Sequence, residues 1–148
     1  MPEIEFIARG LIMRGNCVLI CRNRAHKYGF LPGGHIEFGE PAATALAREI
    51  EEEAGLSCKV GPLLFISENT FHSKRVHHEV NWVFHVEHLG DDPMPPPQVE
   101  SKEPQIQFEW VDLAAVVDDD IRPAEIKAWL VAGAEGSPIP MVSAIAGD

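Results

Sequence analysis

Glu49, Glu52 and Glu53 stand at i, i+3 and i+4 of a stretch that reads as a helix, so their side chains converge on one face. Like charges so placed repel, and something must offset the repulsion. Hydrated divalent cations would do so. Hard ions such as Mg²⁺ take oxygen ligands, keep several waters, and prefer one or two carboxylates together with substrate phosphate over an all-protein cage. Ala42 and Ala45 lie under the same face and leave room for them. Taken alone, the run EIEEE would be an ordinary solvated helix face; its setting decides the matter.

That setting begins with the helix itself. Proline suits a first helical position, where its missing N–H would have gone unpaired, so the helix is expected to start at about Pro41. Gly55, after the last periodic residue, suits the left-handed position that closes a helix, which puts the end at about Ala54 with Leu56 packing back. Leu46, Ile50, Ala43, Ala54 and Ala47 share an apolar arc that anchors the helix on a core. Upstream, the paired Gly33 and Gly34 permit close approach of backbone to a ligand.

Residues 34–56, GHIEFGEPAATALAREIEEEAGL, resemble the signature of the Nudix (MutT-like) hydrolase family, G-x5-E-x7-R-E-U-x-E-E-x-G-U with U aliphatic. Gly34, Glu40, Arg48, Glu49, Glu52, Glu53 and Gly55 fill the seven fixed places, with Ile50 and Leu56 as the aliphatics. At roughly 1 in 15 per identity, chance would produce the seven about once in 10⁸ windows. The LPGG at 31–34 and the FEWVDL at 108–113 extend the likeness on both sides.

The resemblance implies an α/β fold, a Nudix-type α/β/α sandwich with a mixed sheet. It also implies Mg²⁺- or Mn²⁺-dependent hydrolysis of a phosphoanhydride in a nucleoside diphosphate linked to a group X. It nominates the Gly34 carbonyl and Glu49, Glu52 and Glu53 as metal ligands. A further glutamate before an aromatic strand completes the shell or acts as base in some relatives; Glu103 matches that place loosely, with Glu100 and Glu109 as rivals. The base stays open among Glu49, Glu52, Glu53 and Glu103, because clustered carboxylates do not titrate independently. Arg48 is read as orienting a catalytic glutamate through a bidentate pair, and Glu40 as a weak ligand or loop stabiliser. A Nudix-fold module that binds a nucleotide or serves regulation without cleaving is the rival class, but such modules would be expected to lose box glutamates, and none is lost.

Composition sets the limits. A chain of 148 residues suits one domain, expected over 1–132, with a glycine-, alanine- and proline-rich tail at 133–148 that is mobile or docks on a partner subunit. Twelve basic against 23 acidic residues give −11, which argues against nucleic-acid polymers and anionic membranes. A small nucleotide remains compatible when divalent cations bridge the negative charges. Three cysteines without a CxxC pair suggest neither a disulfide framework nor a zinc site. The N-terminus is acidic where a signal peptide would be basic, and no stretch approaches the roughly 18 apolar residues of a membrane span. The expectation is a soluble, cytoplasmic protein, and a homodimer as the commonest closed assembly.

Elsewhere the pattern predicts a strand over 3–13 bent at Arg9 and Gly10, a hairpin into a strand over 17–21, and a loop through Tyr28. Arg22, Arg24 and Tyr28 follow that strand as candidate substrate-binding residues. A strand over 57–66, broken at Gly61 and Pro62, leads to a polar connection over 67–75 and then a half-buried alternating strand over 76–89. The polar face of that strand, with His77, Glu79, Asn81, His85 and Glu87, is available to line a nucleotide pocket. Phe71, Tyr28 and Trp82 are the aromatics placed to stack a base. A short helix after 111 and an amphipathic helix over 122–131 complete the reading.

Overall fold

A computed structural model of the chain describes residues 2–134, 141–143 and 145. Its strands are β1 (Ile4–Leu11), β2 (Met13–Arg14), β3 (Cys17–Asn23), β4 (Gly29–Phe30), β5 (Gly33–His35), β6 (Cys58–His72), β7 (Val76–His88), β8 (Ile106–Asp112) and β9 (Met141–Ser143). The helices are α1 (Ala42–Ala54) and α2 (Ala124–Val131), with a 3-10 turn at Leu113–Asp118 before α2. One sheet runs β5-β1-β7-β6-β9 and is mixed, β1–β7 and β6–β9 being its parallel pairs. The second sheet is antiparallel, with β3 holding β2, β4 and β8. The mixed sheet and its helices agree with the expected class; the separate second sheet was not foreseen.

Two apolar clusters hold the layers apart. On one side Leu46 and Ile50 of α1 bury against Ala8, Ile12, Leu19 and Val86. On the other, Ile126, Trp129 and Leu130 of α2 bury against Leu11, Ile20, Phe65 and Val83, with Trp129 stacked on Phe65 at 5.1 Å. Gly10 is central to the first cluster and does not bend β1. A Cβ there would stand 3.0 Å from Val86 Cγ2 and 3.3 Å from Ile50 Cδ1, so the missing side chain is what lets α1 sit on the sheet. The strand breaks instead at Ile12.

Four further expectations are corrected. Pro41 is the residue before the helix, with ψ 142°, and its carbonyl accepts from Ala45 N–H at 3.0 Å. The buried arc of α1 contains Ala45 in place of the exposed Ala43, because the helix also packs along its carboxylate side. The polar stretch after Ile66 is no connection: β6 continues to His72 with bulges between Val60 and Phe65, pairing with β7 to the His72–Val76 register. Ser67 and Asn69 are polar yet buried, which is why composition alone mistook them for a loop. Nor is β7 half-buried, since it lies between β1 and β6 with Val86 under α1 and both Asn81 and Val83 inaccessible on the other face. Of the tail expected at 133–148, residues 135–140, 144 and 146–148 lie outside the described residues, and β9 pairs in parallel with Ile66–Glu68. No helix among the described residues is long and apolar enough to cross a membrane.

Candidate functional site

Helix α1 is closed by Gly55 at φ 67°, whose N–H bonds Glu51 O at 3.0 Å, a left-handed turn that a Cβ would disfavour. One turn before that cap, the box residues meet. Arg48 Nε and Nη2 donate to the two carboxylate oxygens of Glu40 at 2.9 and 3.0 Å, a bidentate pair from the loop before the helix to its middle. Arg48 Nη1 donates to Glu49 Oε1 at 3.0 Å and Glu52 Oε2 at 3.3 Å. Hydrogen bonding to Arg48 holds the Glu40 carboxyl below the ordinary carboxylate range. One guanidinium thus fixes the loop and orients two box glutamates.

The three glutamates are not equivalent. Glu52 faces outward, its side chain 56% exposed, whereas that of Glu49 is 18% exposed. Glu49 packs on β5, where a Cβ built on Gly34 would lie 2.5 Å from its Cδ and 2.7 Å from Oε2. Only glycine lets that carboxylate rest against the backbone. A Gly34→Ala protein should fold, with a stability loss of at most about 2 kcal/mol, yet lose turnover by about 10²-fold through displacement of Glu49. Melting temperature and kcat measured side by side check both halves.

Glu53 is the most perturbed member. Burial first, then the charge of Glu49, a hydrogen bond shared with Glu49, and the charge of Glu103 push its carboxyl up to about 7, with Arg9 opposing. Glu103 arrives on a loop that docks on the helix end, Lys102 N–H donating to Glu53 O at 2.8 Å. Ser101 Oγ donates to Glu103 O and accepts from Glu103 N–H, fixing the turn. Of its rivals, Glu109 is paired with Arg22 and Gln107, and Glu100 is exposed.

Glu49 therefore lies beside the Gly34 backbone and shares a hydrogen bond with Glu53, whose carboxyl also feels the charge of Glu103. Among the described residues no three His, Cys, Asp or Glu side chains are gathered tightly enough to cage an ion by themselves. The histidines of β7 form no cluster either; His77 is held between Ser73 and Glu5.

A cleft of about 520 Å³ is lined by Arg9, Tyr28, Phe30, Asn69, Phe71 and Glu79, with Arg122 just before α2; none of the box glutamates lines it. Arg9 joins the two regions, since it lines the cleft and its charge acts on Glu53. Tyr28 lines the cleft under the Arg122 guanidinium at 4.4 Å, and Phe71 lines it stacked on His77. Trp82, on the other face of β7, does not line it. Neither do the other two arginines singled out in the sequence. Arg22 is buried in pairs with Asp119 and Glu109, and Arg24 Nε donates to Ile106 O at 2.9 Å. Arg9, Asn69 and Phe30 were missed as site residues; a lone arginine inside an apolar strand pattern was the signal available.

The NUDIX domain family model matches residues 6–130. Over 86 residues the chain is 33% identical to an ADP-ribose pyrophosphatase of Methanocaldococcus jannaschii, a stretch covering 56% of this chain and 50% of that relative, so it spans half the relative's length. In fold it is similar to the MutT protein of Methanosarcina mazei Go1, with TM-score 0.69 at 20% identity over 88% of this chain and 93% of that one. A MutT protein of Bacillus halodurans gives TM-score 0.69 at 20% identity, over 93% of this chain and 86% of that one. The family match runs from β1 into α2 and contains the whole glutamate box with its arginine clamp: the chain belongs to the NUDIX family.

Proposed function

We propose that the chain is a Mg²⁺- or Mn²⁺-dependent pyrophosphohydrolase that cleaves the phosphoanhydride of a nucleoside diphosphate linked to X, where X is a phosphate, a ribose phosphate or a sugar. What supports this reading is Glu49 resting against Gly34 and hydrogen-bonded to Glu53, with the charge of Glu103 acting on Glu53, in a chain that also has a cleft of nucleoside size. Gly34 through its carbonyl, and Glu49, Glu52, Glu53 and Glu103 through their carboxylates, would hold the cation. When bound, it neutralises diphosphate charge and lowers the pKa of an attacking water.

The chain's own residues do the rest. Arg48 keeps Glu49 and Glu52 in fixed orientations, and Glu53 is poised near neutrality to exchange a proton. Which of Glu49, Glu52, Glu53 and Glu103 removes the proton from water is a property of the coupled cluster. The name of the Methanocaldococcus relative puts ADP-ribose on the list of substrates to test.

The test is phosphatase-coupled phosphate release from ADP-ribose, nucleoside triphosphates, nucleotide sugars and dinucleoside polyphosphates, with Mg²⁺ or Mn²⁺. Wild type should turn over one class, and Glu52→Gln should slow it by about 10²-fold or more. Nucleotide binding with no metal-dependent turnover on any compound would replace the hydrolase with a binding module.

A further inference from the structure

The floor of the cleft carries a hydrogen-bond chain whose direction is forced. Arg9 is 9% exposed, Asn69 8% and Asn81 0%. Arg9 Nε donates to Asn81 Oδ1 at 2.7 Å, and Arg9 Nη1 donates to Leu31 O at 3.1 Å. A guanidinium has no acceptor, so Asn81 must turn its oxygen to Arg9 and its amide nitrogen away. That nitrogen donates to Asn69 Oδ1 at 3.2 Å. The Asn69 oxygen is thereby used, and its Nδ2 is left with both N–H donors on a residue that lines the cleft.

Directly across the β6–β7 ladder from Asn69 is Glu79, which also lines the cleft. The Glu79 side chain makes no hydrogen bond or ion pair among the described residues, and it is the carboxylate whose charge most strongly supports Arg9. Two buried amides and a buried arginine thus hold a fixed donor beside an unpaired carboxylate. The aromatic rings of Tyr28, Phe30 and Phe71 surround the same space. An acceptor pair flanked by an N–H donor, with ring faces near, is complementary to the edge of a planar heterocycle.

We infer that Asn69 and Glu79 form a base-reading site selective for guanine, whose N1–H and N2–H meet the two oxygens of Glu79 while O6 accepts from Asn69 Nδ2. Guanine alone among the common bases offers two adjacent donors next to an acceptor on one edge. Adenine supplies one donor and a bare ring nitrogen, leaving a carboxylate oxygen unsatisfied; uracil supplies one donor between two acceptors. A buried acceptor left without its partner lowers affinity, so the site discriminates by what it leaves unpaired. The inference deepens the proposed function and rests on it only in placing the nucleoside of the substrate in this cleft.

The experiment is calorimetric titration of the full chain with GMP, IMP and AMP in EDTA, repeated with Mg²⁺, for wild type, Glu79→Gln and Asn69→Ala. These compounds have no phosphoanhydride, so binding is read without turnover. GMP should bind at least about tenfold tighter than AMP, with IMP between because it lacks the N2 amine. Glu79→Gln should weaken GMP by about tenfold and bring the GMP to AMP ratio near 1, with an unchanged melting temperature showing that the variant folds. Asn69→Ala should weaken GMP without restoring AMP. AMP binding as tightly as GMP, a ratio untouched by Glu79→Gln, or no binding of any of the three would overturn the inference. Each can occur while metal-dependent hydrolysis persists, so the two readings fail separately.

Discussion

Glu53→Gln is expected to abolish turnover and to stabilise the metal-free protein at alkaline pH, two effects of opposite sign from one oxygen-to-nitrogen exchange. The activity loss should be about 10³-fold, because the substitution removes a charge from the cation-binding cluster and a proton acceptor from the site. The stability gain follows from the raised pKa. In the unfolded chain the Glu53 carboxyl titrates near its ordinary value of 4.5, and in the folded one burial, Glu49 and Glu103 move it to about 7. The protonated form is thus favoured by folding. Its contribution is full below about pH 4.5, declines as pH rises, and is lost above about 7.

Because Glu53 is partly exposed, solvent screening reduces the full linkage value to about 1–2 kcal/mol. In EDTA at pH 8, Glu53→Gln should therefore melt a few degrees above wild type, with the difference vanishing at pH 5. Mg²⁺ or Mn²⁺ should raise the wild-type melting temperature at pH 8 more than that of the variant, since the ion binds the folded cluster. A variant that keeps turnover within tenfold, or melts below wild type at pH 8, would remove Glu53 from the cluster's centre.

The parts of this site that lie close in sequence were legible, and those assembled across the sheet were not. The helical period placed α1 and put Gly55 at its cap, because both depend on a few consecutive residues, whereas the outward turn of Glu52 away from Glu49 and Glu53 depends on packing that the period does not show. Glu103 could be nominated only by resemblance, since its position depends on a backbone bond from Lys102 to Glu53, 49 residues earlier in the chain. Arg9 and Asn69 escaped notice for a related reason. Each is polar in a stretch whose composition reads as core, solvent face or loop, whereas here each is buried on a strand and lines the cleft. The end of β6 was mistaken for a loop on the same ground: Ser67, Asn69 and Thr70 have turn composition, and only pairing with β7 makes them strand. Arg22 and Arg24 illustrate the converse, because a motif with two arginines near a phosphate-processing helix suggests substrate contact until their partners are seen.

Those partners make Arg22 the site of the largest expected loss of stability. Its side chain is 9% exposed; Nη1 and Nη2 donate to the two oxygens of Asp119 at 2.8 and 2.9 Å, and Nη2 also donates to Glu109 at 2.9 Å. The guanidinium ties β3 to β8 and to the segment that leads into α2. Arg22→Ala leaves two carboxylates with no cation between them, and because Asp119 and Glu109 remain part-exposed the loss should be about 2–3 kcal/mol. For a chain of this size that lowers the melting temperature by roughly 5–10 °C. The acid side of the stability curve should change as well. Hydrogen bonds from Arg22 hold Asp119 below the ordinary carboxylate range, so their stabilisation is present above the unfolded pKa and lost as pH falls through the lowered one. The variant should lack that limb. Thermal unfolding between pH 3 and 7 reads both effects, and kinetics on the folded fraction adds the deciding comparison. A KM within about threefold of wild type, with the melting temperature down, assigns Arg22 to the scaffold. A tenfold rise in KM with little loss of stability would return it to the substrate.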